Sequence, residues 1–150
     1  MRAFIVYDTK TGMTEKVAQA ISSGMKEVGF NDIVIKKAED ATEDDFKSAE
    51  AWIVGSPTHI GGPTGTTKKA LKMGTNSGTA GKMGTAFDTR FANANKGAIN
   101  KLKAMMEESG VKLIMEPEWF SVTKTSGPLG EGEEAKAATF GRKIAGALRP

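Results

Sequence analysis

The sequence IVYDTKTGMTEKVAQAI, residues 5–21, crowds hydroxyl side chains, a glycine and a lysine into the short stretch Thr9–Thr14. Ile5, Val6 and Tyr7 read as the end of a buried strand, and a helical pattern runs from Thr14 to Ile21. The first turn of a helix presents backbone N–H groups without intrahelical partners and a partial positive charge, so it is a natural anion site. Thr9, Thr11 and Thr14 add hydroxyl donors, Gly12 lets the backbone approach an anion closely, and Lys10 adds a cation at the rim. The chemistry this set supports is the holding of a phosphate by hydrogen bonds rather than by a dedicated ion pair. The same residues also suit a plain helix entry, with Thr11 as cap and Gly12 as turn, and the turn by itself supports both readings equally.

Other chemistry is sparse. His59 is the only histidine, in SPTHIGG, and no second ligand lies at helical spacing from it, so it makes no metal site. Asp88 and Arg90, in AFDTRF, suit an ordinary surface ion pair. With no cysteine, thiolate metal sites, cysteine nucleophiles and Cys-ligated iron–sulfur clusters are excluded. The Gly-Lys-Ser/Thr of a nucleotide P-loop, the Gly-x-Gly-x-x-Gly of a dinucleotide site and the Gly-x-Ser-x-Gly nucleophile elbow are all absent. No RNA-binding signature or aromatic platform supports nucleic-acid binding. No residue is singled out as catalytic.

The elements that position these residues alternate. Strand-like AFIVY (3–7), DIVIKK (32–37), AWIVGS (51–56) and KMGTAFD (82–88) are separated by helical patterns, and VKLIM with WFSV supplies a fifth strand interrupted at Pro117. The first helix carries Val17, Ile21, Met25 and Val28 on one face; Thr42 followed by Asp45 marks the start of a second. A short helix is expected around Thr66–Met73, and Ile99, Leu102, Met105 and Met106 stripe another, the methionines as core filler. The last helix begins near Glu131, with acidic residues at its start and Arg142 and Lys143 near its end, matching the helix dipole. This alternation predicts an α/β fold: a doubly wound, five-stranded parallel sheet in the order 2-1-3-4-5 with helices on both faces. Residues 1–150 suit a single domain of that kind. Ligands of such sheets bind beyond the carboxyl ends of the strands where the winding reverses, which points to the loops after Tyr7, Ser56 and Phe87.

The charge is uneven. Residues 1–50 carry seven Lys/Arg against ten Asp/Glu, whereas residues 51–106 carry eight (Lys68, Lys69, Lys72, Lys82, Arg90, Lys96, Lys101, Lys103) against Asp88 alone. The middle segment is therefore the half that attracts anions. The opening MRAFIVYDTK has too short an apolar run for a signal peptide, and no stretch approaches membrane-spanning length, which points to the cytoplasm without membrane insertion.

The spacing from Ile5 to Ile21 (two apolar residues, an aromatic, Thr9, Gly12, Thr14, Ala18 and Ile21 at their intervals) resembles the FMN signature of the flavodoxin family. The likeness continues in WIVGSPTHIGG, in GTAFDTRF and in the closing GPLGEGEEAKAATFGRKIA, and so spans essentially the whole chain as a short-chain member. The resemblance implies an FMN-binding electron-transfer protein, with a small FMN-dependent NAD(P)H or quinone reductase as the alternative. It puts the FMN phosphate on Thr9, Lys10, Thr11, Gly12, Met13 and Thr14. It puts the flavin ring between Pro57, Thr58, His59, Ile60 and Gly61 on one side and Phe87, Asp88, Thr89, Arg90 and Phe91 on the other. Met13 stands where many members have Asn, and where members often stack Trp or Tyr on the ring the first loop offers only His59 and Ile60, leaving Phe91 as the best aromatic. Arg90 beside the ring would raise its reduction potential, with Asp88 cancelling part of the effect. Many flavodoxins resemble one another in being acidic around the ring; here the basic middle segment implies redox partners with acidic docking surfaces.

Overall fold

The computed structural model describes residues 1–149. The elements run β1 (Ala3–Tyr7), α1 (Met13–Glu27), β2 (Ile33–Lys37), a 3-10 turn (Ala38–Asp40), α2 (Glu43–Lys47), β3 (Ala51–Pro57), α3 (Gly65–Asn76), β4 (Met83–Phe91), α4 (Ala98–Glu108), β5 (Lys112–Leu113), β6 (Glu118–Val122) and α5 (Glu133–Leu148). All strand pairs are parallel, in the order β2-β1-β3-β4-β5, and β6 also pairs with β4. The expected fifth strand is thus two pieces on one neighbour. Pro117 has no N–H to give a ladder, but the linking residues still follow β4: Ile114 donates its N–H to the Gly84 carbonyl, and Thr85 its hydroxyl to that of Met115.

Successive side chains of a strand point to opposite faces, so each strand feeds two cores. Ala3, Ile5, Ile53, Phe87 and Phe120 pack under α1 and α5, while Phe4, Val6, Trp52, Val54 and Ala86 pack against residues of α2, α3 and α4. On the second face Phe4, Phe46 and Trp52 meet edge-on, and the Trp52 indole N–H donates to the Phe46 and Ala49 carbonyls. Met25 and Met106 are core filler, as the helical stripes require.

On the first face α1 and α5 cross at backbone distance. A Cβ on Gly24 would collide with the Ala138 carbonyl, and one on Gly141 with the Ile21 carbonyl, so the two glycines let each helix rest on the other's main chain. Local signals hold at the small helix α2. The Thr42 hydroxyl accepts the Asp45 N–H and the Asp45 carboxylate accepts the Thr42 N–H, a reciprocal cap. Partial burial alone would raise the Asp45 carboxyl, but the hydrogen bonds from the Lys36 ammonium and from Thr42 hold it below its ordinary value. Among the described residues no helix is long and apolar enough to cross a membrane.

Candidate functional site

The register aligns Tyr7 with Gly55 and Gly55 with Phe87, so β1 ends at that row while β3 runs two residues and β4 four residues past it, all toward one rim. Beyond that rim lies a cleft of about 250 Å³. Lys10, Thr11, Met13 and Thr14 line it from the entry to α1, Pro57 from the end of β3, and Thr58 and His59 from the loop after it. Thr89, Arg90, Phe91 and Ala94 close a third side, and Val122 and Thr125 a fourth. A wider depression of about 850 Å³ between residues 38–43 and α3 is lined by charged side chains of both signs, Glu39, Glu43, Lys69 and Lys72. Its two hydroxyls, Thr66 and Ser77, stand at opposite ends of α3.

The turn before α1 is set by its own side chains. The Asp8 carboxylate accepts the Thr9 N–H at 2.9 Å and the Thr64 hydroxyl at 2.6 Å, tying the end of β1 to the start of α3. The Thr9 hydroxyl accepts the Gly12 N–H at 2.9 Å, and Gly12 takes φ 92°, the left-handed conformation that glycine adopts without strain. No side chain caps α1, which like α4 and α5 is entered at a glycine, whereas Thr42 caps α2 and Thr64 caps α3. Of the three glycine entries only that of α1 lines the cleft. Glu15, the acidic residue of that first turn, is drawn away: its carboxylate takes the Tyr7 hydroxyl at 2.5 Å, and burial together with that carboxylate pushes the Tyr7 phenol well above its usual value. The cap reading of Thr11 is therefore overturned. Its hydroxyl instead donates to the Thr125 carbonyl at 3.1 Å, across 114 residues of sequence. Thr14 is buried with its hydroxyl 2.9 Å from that of Thr89. Two hydroxyls that share one bond keep one hydrogen for another acceptor.

The structure rearranges the expected ring-side residues. Pro57, Thr58 and His59 line the cleft, but Ile60 and Gly61 form the tip of a tight turn outside its wall, closed by reciprocal bonds between His59 and Gly62 (2.7 and 3.1 Å). Both tip residues have positive φ, and Ile60, β-branched at φ 50° and 93% exposed, is strained there. Phe87 is fully buried beneath Gly55, whose missing Cβ makes room for its ring, and so belongs to the core instead of the cleft. Asp88 is also fully buried. It accepts Arg90 Nε and Nη2 at 2.9 Å each and the Ile99 N–H at the start of α4 at 3.0 Å. The pair is thus a buried one, contrary to the surface couple the sequence suggested, because residues two apart on a strand share a face. Arg90 is 7% exposed, its guanidinium also 4.6 Å from the Trp119 ring, so its charge is met before it can act fully on a ligand. Phe91, half-exposed, stands at the rim.

Three lining residues were not anticipated. Ala94 follows β4, Val122 ends β6, and Thr125 comes from the segment after it, which leans on the α1 entry through Thr11 and through Met13, whose Sδ lies 2.6 Å from where a Cβ on Gly127 would sit. The one available signal was an echo: TKTG at 9–12 and TKTSG at 123–127.

The family model for flavodoxin matches residues 5–142. This chain belongs to the flavodoxin family. It is 28% identical to a flavodoxin of Clostridium saccharobutylicum over 157 aligned positions, covering 99% of this chain and 98% of that one. It superposes on the structure of a flavodoxin from the domain Archaea with TM-score 0.80 at 25% identity, over 97% of both chains. The fold also matches rubredoxin:oxygen oxidoreductase of Desulfovibrio gigas at TM-score 0.80 and 22% identity, over 98% of this chain and 36% of that larger one. Flavodoxins bind FMN and transfer electrons between redox partners, and no comparison favours the small-reductase alternative.

The donor chemistry of this flavodoxin fits that cofactor. An uncapped helix start, with one hydrogen left on the Thr14–Thr89 pair and the Thr9 hydroxyl bonded only as an acceptor, suits a phosphate. Met13, Val122 and Phe91 offer apolar surface to an aromatic ring, and the cleft leaves one side open.

Proposed function

We propose that this flavodoxin seats the FMN phosphate on the Thr9–Thr14 turn and the flavin ring between Pro57–His59 and Thr89–Phe91, and that it passes electrons to acidic partner proteins. The observation that carries the site is the start of α1, left without a side-chain cap and opening into the cleft beside Thr11 and Thr14. When bound, FMN supplies the redox chemistry, and the protein's residues hold it and limit its contact with water. The N–H groups at the start of α1, the Thr14 hydroxyl, and the Thr11 hydroxyl once it turns from the Thr125 carbonyl, bind the phosphate, with Lys10 at the solvent edge. Thr9 acts from behind by fixing Gly12, and Asp88 by fixing Arg90. Met13, Val122 and Phe91 wall off the ring. Residues 1–150 act as one domain in the cytoplasm.

In this reading Thr11→Ala and Thr14→Ala each weaken FMN binding by roughly 1.5–3 kcal/mol, the worth of a hydrogen bond to a charged group. Lys10→Ala costs about 0–1 kcal/mol, since an exposed ion pair is worth little. Titration of the three variants with FMN checks this; a Lys10→Ala variant that no longer binds, beside a Thr11→Ala variant that binds normally, refutes the assignment.

Docking follows from charge. Lys68, Lys69, Lys72 and Lys96 are exposed on α3 and on the loop after β4, and among the described residues none joins an ion pair. An acidic partner is steered toward this side, so its electron exchange with the protein slows steeply as salt rises. Stopped-flow rates that stay level from low to high ionic strength would remove the acidic-partner assignment.

A further inference from the structure

We propose that Lys96, and not Arg90, is the residue whose charge favours the reduced over the oxidised cofactor in this protein; the proposal rests on the FMN reading above. Arg90 is the cation nearest the ring in sequence terms, but Asp88 binds it through two 2.9 Å bonds and both side chains are buried. The two act at a distance as a neutral unit. Lys10 lies at the phosphate end, and the phosphate is the same in both redox forms.

Lys96 is placed differently. It belongs to the loop between β4 and α4, which lines the cleft through Ala94. Its stem lies across Gly61 at the tip of the turn after β3: Cε is 2.9 Å, and Cδ and Cγ are 3.8 Å, from the position a Cβ on Gly61 would take. The side chain thus reaches from the β4–α4 loop to the turn after β3, whose tip stands just outside the cleft wall, two residues from His59, which lines it. Gly61 makes this possible twice over, since its φ of 75° suits glycine and its missing Cβ leaves room for the lysine stem. Among the described residues the ammonium of Lys96 makes no hydrogen bond and joins no ion pair, so its charge is not cancelled by a neighbour. Reduction adds negative charge to the ring, and an uncancelled cation beside the cleft stabilises the form carrying more of it.

The experiment compares the dissociation constants of oxidised and fully reduced FMN, from fluorescence titration of the oxidised form and the potentials of bound and free FMN. Expected are a loss of about threefold in the preference for reduced FMN in Lys96→Gln and about tenfold in Lys96→Glu, reduced at high salt. For a two-electron couple a tenfold change is about 30 mV. Lys96→Arg keeps the charge and the wild-type preference. So does Lys143→Gln, which removes a charge from α5, none of whose residues lines the cleft. A purely structural role for Lys96 would weaken both redox forms alike and leave their ratio unmoved. Wild type that binds both forms, with a ratio unchanged in Lys96→Glu or equally changed in Lys143→Gln, overturns this proposal alone. Wild type that binds neither form overturns the cofactor reading and this proposal with it.

Discussion

Replacing Asp88 with Ala is expected to destabilise the fold by about 3–5 kcal/mol, the cost of leaving a buried charge without its partner. Asp88 is fully buried, Arg90 is 7% exposed, and two bonds of 2.9 Å join them. The same carboxylate accepts the Ile99 N–H, so the substitution also opens the start of α4. Gly97 is packed against the pair, with room for no Cβ: Asp88 Oδ2 would lie 2.5 Å away and Arg90 Nε 2.6 Å. Urea denaturation measures the loss. The double variant Asp88→Ala/Arg90→Met should recover most of it, because the unpaired cation is then gone. An Asp88→Ala variant within about 1 kcal/mol of wild type would mean that Arg90 reaches solvent on its own.

The α1–α5 crossing gives the second large effect. Gly141→Ala should lower stability by at least 2 kcal/mol on the order-of-magnitude scale of overpacking, because the new methyl meets the Ile21 carbonyl instead of a side chain that can turn aside. Gly146→Ala, on the same helix with nothing within 4 Å of its Cβ position, should stabilise by roughly 0.5–1 kcal/mol through helix propensity alone. At ~2–4 °C per kcal/mol for a chain of this size, thermal unfolding separates the two in sign. Two variants that shift the midpoint in the same direction would contradict the close crossing.

What the sequence made legible was local. The strand–turn–helix at residues 5–21, the reciprocal cap of Thr42 and Asp45 and the strand order follow from periodicity, capping chemistry and crossover handedness, and each is present in the structure. What stayed hidden depends on residues far apart in the chain. Thr11 looked like a cap because its partner, the Thr125 carbonyl, lies in a segment that only the fold brings back. Gly24 and Gly141 lie inside helices, and only the crossing gives them the backbone neighbours that require glycine. Asp88 and Arg90 were seen as a pair but not as a buried one, since alternation along β4 does not tell which face lies under Gly97 and Trp119. Phe87 went to the ligand side for the same reason, although Gly55 opposite it in register marks the space it fills.

The central claim is that an uncapped helix start, with the threonines beside it, anchors FMN by its phosphate. Titration of the cofactor-free protein with FMN and with riboflavin, which lacks the phosphate, tests it most directly. Quenching of flavin fluorescence should show one FMN bound per chain and riboflavin bound at least about 100-fold more weakly, since two hydrogen bonds to a charged group are worth roughly 3 kcal/mol or more together. Equal affinity for the two, or no quenching by either, would contradict the claim.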